Sequence, residues 1–541
     1  MRARMIGLFG MWTAIAIHTG AGCAASPASD LKIRLGDTGL ASLQYHGEDL
    51  LSDGALGVQH VTFSGVGGQS SDGDLKVIAS TVNAQSHKVK RTYSWGAVSC
   101  VYAVQGDRLN LTIGVQNTSD STVSSIAIQP LELKFPQAPQ GWVPNYVYLG
   151  ANQGAPTVEY ANYGSGALAV CNDDVVRPLA VGFPGRESLT VRPILVATSS
   201  AGQLSSRFDP VLKRPIASHS YDKYSISLRF GSASSTEETL SGDLLKKFAA
   251  KYPPTLRWKD RRSIGTLHLS TSEPDHHSVT NPRGWFLDPT MDVKTPAGKE
   301  ALRKRLLEYA DNSIKVLKKM NAQGMITWDI EGQEYPHATS YIGDPRIVKE
   351  MAPEMDAMAD AYFKKFHDAG LRTGVCVRPQ QLSHTPAKTE QQDVADPAKI
   401  VALLYDKIAY ANKRWGCTLF YVDSNGDPGV PFDVTIFQRL AAKLAQNKID
   451  ALIMPEHQNT RYYGCAAPYD ELAQNVTSTP ELVRAVYPGA FSVIYAPDGP
   501  LEKDHDQLVA AVKRGDILLF RGWWDDPQNP QILKIYQDAG R

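Results

Sequence analysis

The sequence lacks several features that would assign it quickly. Lys plus Arg equals Asp plus Glu at 56 each, so no global field draws the chain to nucleic acid or to acidic membranes. Beyond Cys23 there are five cysteines, at 100, 171, 376, 417 and 465. That odd count, without C-x-x-C spacing, argues against a structural zinc site and against a disulfide framework, leaving room for one or two bridges at most. Cys376 sits in an apolar run and reads as a small buried hydrophobe. No Gly-x-Ser-x-Gly elbow occurs, so serine-esterase chemistry has no support. A cofactor has no motif to hold it.

A long apolar run is missing too. Met1 to Ala25 carries Arg2 and Arg4, an apolar stretch from Met5 to Ile17, and small residues around Cys23. The stretch is short for a membrane span and has the layout of a secretory signal peptide over residues 1–25. Two processing routes fit: cleavage near Ala25, or lipidation of Cys23 after Gly20-Ala21-Gly22, which lacks the usual Leu at Gly20. Either route predicts an exported protein, periplasmic or extracellular, and the second would attach it to a membrane.

What is present divides in two. At 541 residues the chain is too long for one core. Residues 26–240 read as short alternating runs, such as Leu109-Asn110-Leu111-Thr112-Ile113-Gly114-Val115, broken by turn signals such as Gly106-Asp107. This pattern predicts an antiparallel β-sandwich. Residues 241–262 form a linker that opens as a helix with Leu244, Leu245 and Phe248, breaks at Pro253-Pro254, and docks one domain on the next. From 263 to 541 apolar strands alternate with amphipathic helices. Strands are predicted at 264–270, 325–329, 373–377, 419–423, 451–455, 491–496 and 516–521, with an eighth sought in Tyr462 to Pro468. Helical stripes lie between them, among them Ile400, Leu404, Ile408, Ala411 and Trp415. The size and alternation predict a (β/α)8 barrel of the TIM type. The competing open sheet would show a Gly-rich turn after its first strand, and none is there.

In a barrel the carboxyl ends of the strands meet at one mouth. Here those ends carry Asp329 and Glu331, then Arg378, Asp423, Glu456 with His457, Asp498, and Trp523-Trp524-Asp525. Asp423 and Glu456 end the two strands of one βαβ unit, which are parallel neighbours about 4.8 Å apart. Their carboxylates can approach the roughly 5 to 5.5 Å spacing of a retaining glycosidase. The short Asp suits a nucleophile, and the longer Glu an acid/base. Arg378 would keep Asp423 ionised, and Trp523 and Trp524 would offer faces on which sugar rings stack.

The stretches Tyr421-Val422-Asp423-Ser424-Asn425-Gly426 and Met454-Pro455-Glu456-His457, on a barrel behind a β-sandwich, resemble the retaining α-glycoside hydrolases. The nearer likeness is to sandwich-plus-barrel enzymes related to endo-α-N-acetylgalactosaminidases, beside the α-amylase and dextranase groups. The resemblance covers the barrel, about half the chain. It implies a carbohydrate substrate, with the first acid as nucleophile and the second as acid/base. Tyr421 stands where α-amylases have Arg, a departure from starch-type enzymes. Asp329 and Glu331 share a strand face if their strand continues and are an alternative acid pair. We read them, with Arg378, His457 and the two tryptophans, as substrate ligands. Where barrel metal hydrolases often place two His one residue apart on the first strand, this strand gives His268-Leu269-Ser270, and the pair His276-His277 beside Asp275 in the loop after it reads as a solvated loop rather than a metal site. The non-enzyme reading is an inactive barrel that binds a carbohydrate.

Overall fold

The structure is a computed structural model that describes residues 30–64, 69–136, 158–176, 180–182, 190–191, 194–198, 215–333, 341–385, 388–425 and 433–541. Residues 1–25, read above as a signal peptide, and with them Cys23, lie outside these residues. All five remaining cysteines are buried and free.

The amino-terminal half is antiparallel. A seven-stranded sheet runs in the spatial order 158–162, 166–172, 221–232, 108–117, 96–105, 88–93, 79–83. A five-stranded sheet runs 180–182, 194–198, 122–129, 57–64, 70–72. Alternation along the strands sends Val61, Phe63, Ile126 and Ile128 from one sheet, and Cys100, Leu109, Leu111, Ile113 and Leu228 from the other, into a shared core. This is the predicted sandwich.

The carboxyl-terminal half is a parallel barrel. Its strands are β1 Ile264–His268, β2 Gly324–Trp328, β3 Arg372–Val377, β4 Leu419–Val422, β5 Leu452–Pro455, β6 Tyr469–Glu471, β7 Val493–Tyr495 and β8 Ile517–Arg521. They pair in the order β5-β4-β3-β2-β1-β8-β7-β6. The seam between β5 and β6 is bridged where the Ala467 N–H donates to the Ile453 carbonyl at 2.9 Å. All seven strands predicted from sequence are present. The eighth is not in Tyr462 to Pro468, which opens with a 3-10 turn at Tyr462–Gly464; it follows directly as β6. Odd and even positions of each strand divide cleanly. Ile326, Cys376, Tyr421, Met454 and Val493 fill the inside, while Met325, Val375, Val377, Phe420, Val422 and Ile453 face the helices.

A helix, α1 Glu237–Lys251, joins the halves, starting just upstream of the stretch read as a linker. Thr236 caps it in a reciprocal box with Thr239, Glu237 and Glu238 sit in its first turn, and Pro253-Pro254 prevents its continuation. Leu244, Leu245 and Phe248 form its buried stripe. They pack between Val158, Ala169 and Cys171 of the seven-stranded sheet and Leu482, Val483, Val486 and Tyr487 of the barrel's outer layer. Arg229, buried beneath, pairs with Asp173 at 2.7 Å and with Asp243 of the helix at 2.5 Å.

Phe248 is fully buried in this wedge. Phe248→Ala should therefore cost about 3–5 kcal/mol, whereas Lys246→Ala on the exposed face should stay within about 0.5 kcal/mol. Chemical denaturation of the two variants checks this, and equal stability would mean that the wedge does not hold the halves together.

Candidate active site

Register brings three candidate residues into one row. Val377 pairs with Val422, and Val422 with Pro455, so the next residues, Arg378, Asp423 and Glu456, stand side by side. The ladder continues through them: the Asp423 N–H donates to Val377 O and the Glu456 N–H to Val422 O, each at 3.0 Å. Because side chains alternate, Arg378, Asp423 and Glu456 share the inward face of Cys376, Tyr421 and Met454. All three therefore rise from the barrel's interior at its mouth.

Asp423 is 5 % exposed. Its Oδ2 lies 3.1 Å from Arg378 Nε and accepts from Ser424 Oγ at 3.4 Å, while Tyr421 OH donates to Oδ1 at 3.4 Å. Glu456 is more open, with its side chain 31 % exposed. The Ser424 N–H donates to its Oε2 at 2.6 Å, and His457 Nε2 lies 3.8 Å from the same oxygen. Both carboxylates thus contact one residue. Ser424 is left-handed, with φ 54°, a conformation uncommon outside glycine. The guanidinium of Arg378 donates to Ser424 Oγ, and Gln380 Nε2 donates to Ser424 O at 3.2 Å. Those two contacts hold the turn.

Aromatic rings line the mouth beside the row. The His268 ring stacks on Trp328 at 5.2 Å and meets Trp523 edge-on at 6.0 Å. Trp328 in turn lies 5.3 Å from Tyr421, and Tyr421 lies 5.0 Å from Tyr469. Trp523 belongs to this arc. Trp524 touches Trp523 edge-on at 4.6 Å but is 45 % exposed.

The other predicted residues separate. Strand β2 stops at Trp328, and Asp329 takes φ 58°, so Asp329 and Glu331 do not share a strand face as a continuing strand would require. Asp329 is buried at the mouth. Its Oδ1 accepts from Gln333 Nε2 at 3.1 Å, and its Oδ2 has no hydrogen bond but has His268 Nδ1 at 3.8 Å. Burial raises the Asp329 carboxyl, and His268 opposes the shift. Glu331 is 2 % exposed, with Oε1 unpartnered. Asp498 pairs with Arg521, and Asp525 with Lys319, outside the row. His277 points its two ring nitrogens at the carbonyls of Pro282 and Thr271, 2.9 and 2.6 Å away. His276 pairs with Glu273 at 3.3 Å. Both histidines serve their own loop.

Sequence reasoning missed Glu471 because it missed β6. Tyr469 lies inside the barrel against Tyr421, so Glu471, two residues on, shares that face. Tyr469 OH donates to Glu471 Oε1 at 3.0 Å, and Gln474 Nε2 donates to Oε2 at 3.0 Å. A further carboxylate therefore stands at the mouth, beside Asp423, Glu456 and Asp329.

Burial pushes the Glu331 carboxyl up to about 8 from 4.5; Asp344 and Asp329 add to the shift, and its own backbone N–H and Lys407 oppose it. The folded chain thus binds more protons than the unfolded one between those values. This contribution to stability is present below about 4.5 and is lost as pH rises through about 8. Glu331→Gln should flatten the fall of Tm with pH across that window. Parallel Tm curves for wild type and variant would contradict the assignment.

No protein-family model and no curated protein matches the sequence. Among solved structures, the chain is similar to the α-N-acetylgalactosaminidase NagBb of Bifidobacterium bifidum in complex with GalNAc. The TM-score is 0.52 at 10 % identity, covering 95 % of this chain and 92 % of that chain. A quadruple mutant of that enzyme aligns with TM-score 0.48 and 12 % identity over 95 % and 92 %. An α-galactosidase of Geobacillus stearothermophilus in complex with raffinose aligns with TM-score 0.38 and 9 % identity over 96 % and 76 %. At these identities the likeness is one of fold: a β-sandwich followed by an eight-stranded parallel barrel, matched along nearly the whole chain to the Bifidobacterium enzyme.

Proposed function

We propose that the protein is a glycoside hydrolase that cleaves glycosidic bonds with retention, using Asp423 as nucleophile and Glu456 as acid/base. The observation that carries this reading is the convergence of both carboxylates on Ser424, from in-register ends of adjacent parallel strands. Adjacent strand ends of this kind suit the roughly 5 to 5.5 Å carboxylate spacing on which a double displacement relies. In the first step an Asp423 oxygen attacks the anomeric carbon as the bond to the leaving oxygen breaks, and Glu456 transfers its proton to that oxygen. In the second, Glu456 removes a proton from water, which attacks the same carbon and releases Asp423. Arg378 balances the charge of Asp423 and fixes its direction.

The remaining mouth residues suit sugar recognition. Asp329 Oδ2, buried and without a hydrogen bond, would accept one from a sugar hydroxyl. Trp523 offers an apolar face beside His268, and His457 borders the acid/base. Glu331 and Trp524 would act at longer range, one behind the mouth and one at its rim. α-N-Acetylgalactosaminides are the first candidate substrates to try, since the fold neighbour over 95 % of this chain is an α-N-acetylgalactosaminidase. The signal-like amino terminus fits an exported enzyme acting on an extracellular or periplasmic glycan, with Cys23 as its lipid anchor if it is processed there.

The test is hydrolysis of aryl α- and β-glycosides, α-N-acetylgalactosaminide included, by wild type, Asp423→Asn, Glu456→Gln and Glu471→Gln. Asp423→Asn should lose activity on the order of a thousandfold or more. Glu456→Gln should lose about 10² to 10⁴ and recover with azide when the leaving group is good. Azide rescue of Glu471→Gln instead would move the acid/base to β6. Sugar binding without turnover would favour the carbohydrate-binding reading.

A further inference from the structure

The helix Pro397–Trp415 buries Ile400, Val401, Leu404, Ile408, Ala411 and Trp415, and Lys407 lies on the same stripe with its side chain fully buried. An ammonium in a core is costly unless its donors are used and its charge is met. Here both conditions hold. Nζ donates to Arg378 O at 2.8 Å and Gln380 O at 2.9 Å, and it faces Asp344 Oδ2 at 3.6 Å. Asp344 is itself fixed by two hydrogen bonds from the Arg346 guanidinium, at 2.8 and 2.7 Å.

The two carbonyls held by Lys407 belong to the residues whose side chains hold the site. Arg378 reaches Asp423 and Ser424, and Gln380 reaches Ser424 O. The neighbouring loop closes on the same backbone. Arg378 N–H donates to Gly343 O at 3.0 Å, and Arg378 Nη1 donates to Tyr341 O at 2.9 Å. Gly343 is left-handed, and a Cβ there would meet Arg378 Cγ at 2.5 Å, so loop and strand end fit closely.

We propose that Lys407 is a positioning residue: it locks the backbone of Arg378 and Gln380 and, through their side chains, sets the Asp423–Ser424 turn that presents both carboxylates. The proposal rests on the reading of Asp423 and Glu456 as the reacting pair. It goes beyond that reading by assigning the geometry of the pair to a helix residue outside the mouth. An apolar residue of similar length fills the same space and leaves the two carbonyls without a donor.

The experiment uses the full chain as wild type, Lys407→Met, and Lys407→Met with Asp344→Asn. The double variant removes the carboxylate along with the ammonium, which keeps the test open if the single variant misfolds. In the folded variant kcat on activated glycosides should fall on the order of ten- to a hundredfold, with KM within about threefold, as expected for a reacting group displaced by about 1 Å. Its crystal structure should show the Arg378 guanidinium withdrawn from Asp423. Wild-type kcat, a loss confined to KM, or an unmoved Arg378–Asp423–Ser424 cluster would overturn the proposal. If the wild type hydrolyses no glycoside, the functional reading fails, and the crystal structure still decides whether Lys407 sets the cluster.

Discussion

The register between β3, β4 and β5 is the constraint on which the site depends. The pairing of Val377 with Val422 and of Val422 with Pro455 aligns three strand ends. Side-chain alternation then sends Arg378, Asp423 and Glu456 to the same side. A slip of one residue in β4 would turn Asp423 toward the helices and bring Val422 inward. What prevents the slip is hydrophobic burial on both faces. Phe420 and Val422 pack in the outer core, and Leu419 and Tyr421 in the inner one. The same apolar contacts that close the barrel thereby aim its carboxylates.

The candidate site contains groups that cost stability. Ser424 and Asp329 adopt left-handed conformations at the ends of β4 and β2, and Glu331 is a buried carboxyl with an unpartnered oxygen. Each costs of order 1–3 kcal/mol taken alone. They persist because the surroundings over-determine them: Arg378, Gln380 and Glu456 hold Ser424, and Gln333 and His268 attend Asp329. Lys407 extends that support into the helical layer. The sandwich core and the wedge around Phe248 are built instead on apolar clusters.

Much of this was legible in the sequence where apolar periodicity was strong. Strands such as 419–423 and 451–455 announced themselves, and with them the pair Asp423 and Glu456. Legibility failed where an element was short or a polar residue stood on an apolar stripe. Strand β6 has three residues, Tyr469-Asp470-Glu471, with too little alternation to register, so Glu471 was missed. Lys407 was passed over in the stripe from Ile400 to Trp415, since only the fold reveals two carbonyls and a carboxylate waiting for its ammonium. The face-sharing of Asp329 and Glu331 failed because the left-handed Asp329 ends the strand, and a non-glycine residue gives no warning of that turn.

Trapping the covalent intermediate tests the central claim most directly. Activated fluorosugars of both anomeric configurations, led by the N-acetylgalactosamine type, would be incubated with the wild-type protein, which would then be digested and analysed by mass spectrometry. A single glycosyl adduct on the peptide containing Asp423, absent from Asp423→Asn, is the predicted result. Turnover of the corresponding glycosides without any adduct and with inversion at the anomeric carbon, or an adduct on a different carboxylate, would contradict it.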